Sequence, residues 1–500
     1  MIISLLLGIL TTWILFSWGD LLGKWLPTTE SAFTAFLYRY LVGLIGLCFF
    51  ANALSLFIGL NQPLLLPILC IPVLRQLPSR KTVHELTELF LPNSRPLQLL
   101  SLTSVLLLVA MHAWEIKHPD SLSYQNELIR YALQSGHPTG LIQIQNQLGY
   151  GGAWYAISAL FSFHFLIGQL MTFVNLSLIG VTVCCLIKQV DAAATNKNLF
   201  ALTGCLLLLG IGFYEYSFFR LALTSAAPDT PAALIGLATL LYFLYEKRSG
   251  WLLMAGCITA VTIKLSLAPI LLLPVWHLIK AENRRQVFSM VTIGLLIALP
   301  FLVKNVRSTG YLIYPLPNTR ILSANYTPSA TAVQAEADYI KAYARKEKTE
   351  RNAHGVTSTL SPSLRQWVPH WWKQQTHAEK TMLILTFIAL TGAVVYRKKI
   401  QLPAADYWQF MTTVSLGILF WFYQAPAIRF GSAFLLAPWL LYGYPRKEQT
   451  AHQPTLFKIS SWIIRLIEIG LLLTALAYLG YRLYYFMDGS AFWWPKGPVV

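Results

Sequence analysis

Apolar runs of helix-forming length recur from one end of this chain to the other, and short clusters of Lys and Arg punctuate them. About 20 apolar residues in an α-helix cross roughly 30 Å of hydrocarbon. Inside such a layer only helices or closed barrels satisfy the backbone polar groups. With 55% apolar and 12% charged residues, the 500-residue chain carries too little polar surface to enclose a water-soluble core. The expected fold class is therefore all-α, a polytopic transmembrane helix bundle. Qualifying runs lie at about 2–19, 34–59, 62–75, 97–114, 167–187, 199–219, 230–245, 251–280, 287–305, 381–396, 405–423, 428–444 and 460–485. With a break near Lys264 in the 251–280 run, they predict about 13–14 spans.

Charge placement orients the spans. The formal charge of +17 comes largely from basic residues flanking apolar runs, where they set topology and meet anionic lipid headgroups; this argues against a nucleic-acid partner. Four clusters, Glu246-Lys247-Arg248, Asn283-Arg284-Arg285, Arg397-Lys398-Lys399 and Arg446-Lys447, all fall on the cytoplasmic side if the stretch 153–166 lies in the interface rather than spanning. The basic loop with Arg80 and Lys81 is then cytoplasmic too, and the run at 97–114 leads outward to Asp120. The expected organisation is a transmembrane core over 1–305 that includes a first outer loop at 115–166, an extracytoplasmic loop subdomain at 306–380, C-terminal transmembrane helices at 381–485 and a tail at 486–500. The predicted location is the bacterial inner (cytoplasmic) membrane, with the working face toward the periplasm or exterior.

Several classes are set aside by what the chain lacks. It contains no Walker loop, no GxGxxG fingerprint, no HExxH motif and no internal repeat. The six cysteines all sit in apolar stretches without metal-type spacing, as packing residues do. The N-terminal run has no basic n-region and no small-residue cleavage site, which favours a retained helix over a signal peptide.

Polar residues gather on the predicted outer side. Asp120, just past an outward-running helix, is a candidate general base, since a carboxylate within hydrogen-bond reach can take a proton from an acceptor hydroxyl or amine; Pro119-Asp120-Ser121 is also ordinary turn chemistry. Glu115 is a second candidate carboxylate, and Tyr124 a substrate contact. Gly149-Tyr150-Gly151-Gly152 leads into an aromatic stretch expected to lie in the headgroup layer. Asp229 with Pro231 opens an inward-running helix, where capping explains it as well as function does. Lys264 near membrane depth needs a partner, and phosphate is a natural one. Lys304, Asn305, Arg307, Tyr311 and Tyr314 mark the outer boundary of the next helix, by function or by anchoring. Arg429 offers a planar fork suited to phosphate oxygens, or snorkels.

Together these features resemble the GT-C superfamily of polytopic membrane glycosyltransferases, including aminoarabinose and protein O-mannosyl transferases. The resemblance spans roughly 97 to 430. It rests on the acidic first outer loop, the aromatic helix after it, the Pro228-Asp229 helix start, and Lys304-Asn305 followed by Thr309-Gly310-Tyr311 and Tyr314-Pro315. In the family pattern Arg stands where this chain has Lys304, and Leu312-Ile313 intervene where that pattern is tighter. The resemblance implies an inverting transfer from a polyprenyl-phosphate sugar donor to a glycan, lipid or protein acceptor. Asp120 would act as base, and Lys264, Lys304, Arg307 or Arg429 would stabilise the departing lipid phosphate; a divalent cation stays open as cofactor. An O-antigen polymerase or ligase would instead work through Arg320, Arg345, His354 and His370. A polysaccharide or lipid transporter would place its charges in a central cavity and repeat its halves.

Overall fold

The computed structural model describes residues 1–23, 32–75, 92–113, 118–195, 199–214, 219, 221–246, 250–281, 283–352, 355–400, 402–443 and 461–486. Glu115, Arg80, Lys81, Lys247, Arg248, His354, Arg446, Lys447 and the tail from 487 onward lie outside the described residues.

Helices α1 (Ile2–Gly23), α2 (Ala32–Leu54), α3 (Leu65–Arg75) and α4 (Arg95–His112) open the chain. A π-turn at Ser121–Gln125 leads into α5 (Asn126–Gln134), and a loop with two 3-10 turns leads to α6 (Trp154–Leu160). Then come α7 (Phe173–Thr195), α8 (Leu199–Tyr214), α9 (Asp229–Glu246), α10 (Gly250–Ile263), the 3-10 segment Leu265–Leu271, α11 (Leu272–Lys280) and α12 (Arg284–Thr309). Beyond α12 stand α13 (Ala330–Ala344), the hairpin β1 (Thr349–Asn352) and β2 (Gly355–Ser358), and α14 (Leu364–Gln374). Helices α15 (His377–Val395), α16 (Ala404–Gln424), α17 (Ile428–Leu436) and α18 (Ser461–Phe486) complete the bundle. The hairpin is antiparallel, with Thr349 opposite Ser358 and Asn352 opposite Gly355.

Among the described residues six helices are long and apolar enough to cross a membrane: α1, α2, α4, α7, α12 and α15. Six is fewer than the 13–14 spans expected from the sequence. Most of the expected segments do form helices, but several are too short: α3 has 11 residues, α10 has 14, and α17 has nine before a 3-10 turn containing Pro438. The 251–280 run is broken where expected. Helix α10 ends at Ile263, Lys264 is extended, and Pro269 sits in the 3-10 segment that follows.

The stretch 153–166 also differs from expectation. Helix α6 has seven residues, about 10 Å of rise, and cannot span. All seven are buried, packed among α2, α5 and α7. It is thus enclosed by protein rather than laid along a surface, because Trp154 and its apolar neighbours are covered all round.

Glycines set the tightest crossing. A Cβ on Gly43 of α2 would lie 1.8 Å from the Leu15 carbonyl of α1, and one on Gly19 would lie 1.6 Å from the Arg39 carbonyl. Small residues allow such backbone approach between membrane helices. By contrast α12 and α15 are only 22% buried over their apolar windows. Their outward side chains, including Phe288, Leu295, Phe387 and Ile388, are exposed, as lipid-facing residues are. The 306–380 segment joins the C-terminal end of α12 to the N-terminal end of α15. Arg284, Arg285 and the Arg397–Lys399 turn therefore cap the opposite ends of those two helices.

Candidate functional site

Four helix ends meet at one place. Asp120 follows α4, Asp229 begins α9, Lys264 follows α10, and Arg429 stands in the first turn of α17. A carboxylate at a helix N-terminus and an ammonium at a C-terminus both suit the helix dipole, which is why α9 and α10 can present opposite charges side by side.

Arg429 joins the two carboxylates. Its Nη2 lies 3.4 Å from Asp120 Oδ2 and its Nε 3.7 Å from Asp229 Oδ2. Lys264 pairs with Asp229 Oδ1, and its ammonium sits 3.7 Å from the centre of the Phe430 ring, a cation–π contact. Asp229 is nearly enclosed, with 8% of its side chain exposed, while Asp120 is 32% exposed.

His118 completes the cluster. Its Nδ1 accepts from the Asp120 backbone N–H at 3.0 Å, so the neutral ring carries its proton on Nε2. That nitrogen faces Asp120 Oδ2 at 4.0 Å and Arg429 Nη1 at 3.3 Å. Burial pushes the imidazole down to about 4, against the pull of Asp120 and with help from Arg429 and Lys264. Tyr124, one turn past Asp120, is hydrogen-bonded to Tyr155. Burial, then the charge on Asp120, raises its phenol to about 12.

An aromatic row leads away from this cluster. Tyr124 meets Tyr150 edge-on at 5.9 Å, and Tyr150 lies 5.8 Å from Tyr314, which lies 6.5 Å from Tyr311. Glu336 of α13 meets the row at Tyr150. This carboxylate is fully buried, accepts from the Tyr150 hydroxyl, and is forked by Arg351 at 2.5 and 3.3 Å.

Lys304, Asn305 and Arg307 occupy a separate neighbourhood. Lys304 donates to Asn52 Oδ1 at 2.7 Å, Arg307 to the Leu56 carbonyl at 2.7 Å, and Asn305 to the Leu312 carbonyl at 3.1 Å. His137 contacts the Lys304 carbonyl and the Ser308 hydroxyl. Asn52 also donates to the Ala153 carbonyl at 2.8 Å, and Ala153 donates its N–H to Thr262, so the Gly149–Ala153 loop links the two neighbourhoods. A Cβ on Gly152 would lie 2.9 Å from the Ile263 carbonyl; the glycine lets the loop close on the end of α10.

Of the residues expected to act together, then, Asp120, Asp229, Lys264, Arg429 and Tyr124 converge. Lys304, Asn305 and Arg307 are engaged with backbone and amide groups elsewhere, while Tyr311 and Tyr314 extend the aromatic row. Of the described residues of the polymerase-type set, Arg345 lies over Trp367 at 4.4 Å, His370 one turn past Trp367 on α14 pairs with Gln374, and Arg320 is exposed in the stretch after α12. Sequence reasoning passed over His118, Asn52 and Glu336. An amide inside an apolar run and a carboxylate three residues after Val333 on one face of α13 were the available signals.

An apolar groove of about 520 Å³ is lined by Ala268, Pro269, Leu272, Leu416, Phe420 and Tyr423, among others. It starts one turn beyond Lys264, on the 3-10 segment. Among the described residues no group of three or more His, Cys, Asp or Glu is arranged to hold a metal ion. All six cysteines are unpaired.

No curated protein and no solved structure matches the chain. The family described as a domain of unknown function, DUF8201, matches residues 1–436, from the first helix to the end of α17, and the chain belongs to it.

Proposed function

We propose that the protein is a membrane glycosyltransferase that moves a sugar from a polyprenyl-phosphate donor to an acceptor, with Asp120 as base and with Arg429 and Lys264 countering the phosphate. The observation that carries this reading is Arg429, whose one guanidinium reaches both Asp120 and Asp229 while Lys264 stands on the far side of Asp229.

The chemistry follows from that arrangement. Asp120 takes the proton of an acceptor hydroxyl or amine as the acceptor atom bonds to the anomeric carbon. The bond from that carbon to the phosphate oxygen breaks on the opposite face, so configuration inverts, and the electron pair leaves with the lipid phosphate. That leaving group is already a good anion and needs cations more than an acid. The guanidinium fork suits phosphate oxygens. The apolar groove that begins four residues after Lys264 offers hydrocarbon surface for a prenyl chain.

The proposed setting is the bacterial inner membrane with the cluster toward the periplasm; glycan, lipid and protein acceptors all suit an Asp base. The test is transfer by the purified protein in lipid nanodiscs, offered a panel of polyprenyl-phosphate sugars and acceptors and followed by release of polyprenyl phosphate. Asp120→Asn is expected to lower the rate by about 10²–10⁴-fold with the fold intact. Full activity in that variant, or no transfer from any donor, ends the reading.

A further inference from the structure

The charges in the cluster balance: Asp120 and Asp229 offset Lys264 and Arg429, with His118 neutral. A phosphate entering this site meets cations that already have partners, and the partners differ in how firmly they are held. Asp229 is 8% exposed, opens α9 and is also paired with Lys264. Asp120 stands at the start of the helical run that continues through Ser121–Gln125 into α5, is 32% exposed and approaches Arg429 at 3.4 Å through one oxygen. Asp120 is the partner that yields.

We infer that Asp120 is a stand-in anion on Arg429, displaced when the donor's phosphate takes the guanidinium, so that donor binding precedes and releases the base. This rests on the transferase reading above and adds to it an order of binding. Phosphate offers two oxygens to the fork where Asp120 offers one, and a charge-assisted pair of parallel bonds is the stronger arrangement. Freed from Arg429, Asp120 keeps its backbone bond to His118 Nδ1, which holds the start of this helix in place while the carboxylate turns to the acceptor. While Asp120 is paired with Arg429 the base is masked, so it becomes available only once a donor is in place.

The consequence runs against intuition for a residue of the active centre: removing its charge strengthens binding of the lipid phosphate. The probe is polyprenyl phosphate in nanodiscs, titrated against the full-length protein and read by native mass spectrometry. Loss of an ion pair of this exposure predicts about two- to fivefold tighter binding by Asp120→Asn, with Asp120→Ser as a second variant lacking the same charge. Arg429→Ala is expected to weaken binding at least about tenfold. If the wild type binds the probe and neither Asp120 variant binds it more tightly, the exchange is wrong and the transferase reading stands. If neither the wild type nor the variants bind it, the reading beneath the exchange fails, and the exchange with it.

Discussion

Lys304 on α12 donates to the side-chain oxygen of Asn52 on α2 at 2.7 Å, joining two membrane-length helices through a buried amide. The same amide donates to the Cys48 and Ala153 carbonyls at 2.7 and 2.8 Å. Asn52→Ala would strand the Lys304 ammonium and the Ala153 carbonyl together, at about 3–5 kcal/mol. Lys304→Met, which fills the volume without the charge, is expected to cost less. Thermal unfolding in detergent measures both. A Lys304→Met protein that unfolds normally yet no longer binds polyprenyl phosphate would move Lys304 from a structural to a ligand-binding role.

Arg429→Lys retains the charge and loses the fork. A single ammonium cannot reach Asp120, Asp229 and a phosphate in the same geometry. Transfer is expected to fall by about 10²-fold, the scale for removing one preorganised donor, with little change in melting temperature. Equal turnover by the Lys variant would show that the cluster needs only a point charge.

Gly43→Ala tests the α1–α2 crossing. The added Cβ meets the Leu15 carbonyl, a backbone atom that cannot rotate away. Overpacking of this kind costs about 1–3 kcal/mol. Ala at Gly180, where a Cβ meets nothing within 4 Å, serves as the comparison and should unfold like the wild type.

Glu336→Gln weakens the tie between the aromatic row and the 306–380 segment. The carboxylate is fully buried, but Arg351 is 22% exposed and can turn toward solvent. The expected cost is accordingly near the lower end for a broken buried pair, about 1–3 kcal/mol. Limited proteolysis should cleave sooner between α13 and α14 while the membrane helices stay intact. Unchanged cleavage would assign Glu336 no part in holding this segment.

Acid should destabilise the protein through two histidines. Burial pushes His118 down to about 4, and burial followed by the charge on Lys304 pushes His137 down to about 3. In the unfolded chain both titrate near about 6.5. Between those values the unfolded state binds more protons, so stability falls as pH drops from about 6.5 and the loss levels off near the folded values. His118→Asn, which can keep an acceptor for the Asp120 N–H, should flatten part of this acid limb in a melting-temperature profile. An unchanged limb in both His118→Asn and His137→Gln would place the acid sensitivity elsewhere.

Composition and run length alone determined that this chain is a helical membrane protein, because a 55% apolar chain with 12% charge belongs in hydrocarbon and apolar runs of about 20 residues satisfy their backbone there as helices. The break at Lys264, the Gly149–Gly152 turn and the placing of charged residues at predicted helix ends were legible for the same local reasons: a costly cation, flexible glycine and a helix dipole. Tertiary structure decided the rest. Hydropathy cannot distinguish a lipid-facing apolar run from a protein-enclosed one, so α6 read as a surface helix and short helices such as α3 and α10 read as spans. Nor can it choose a cation's partner. Lys304 and Arg429 look alike as basic residues at apolar boundaries, yet Asn52 lies opposite one and Asp120 opposite the other. Contacts between residues some 250 to 310 positions apart are set by how the helices cross, and that geometry exists only once the bundle has packed.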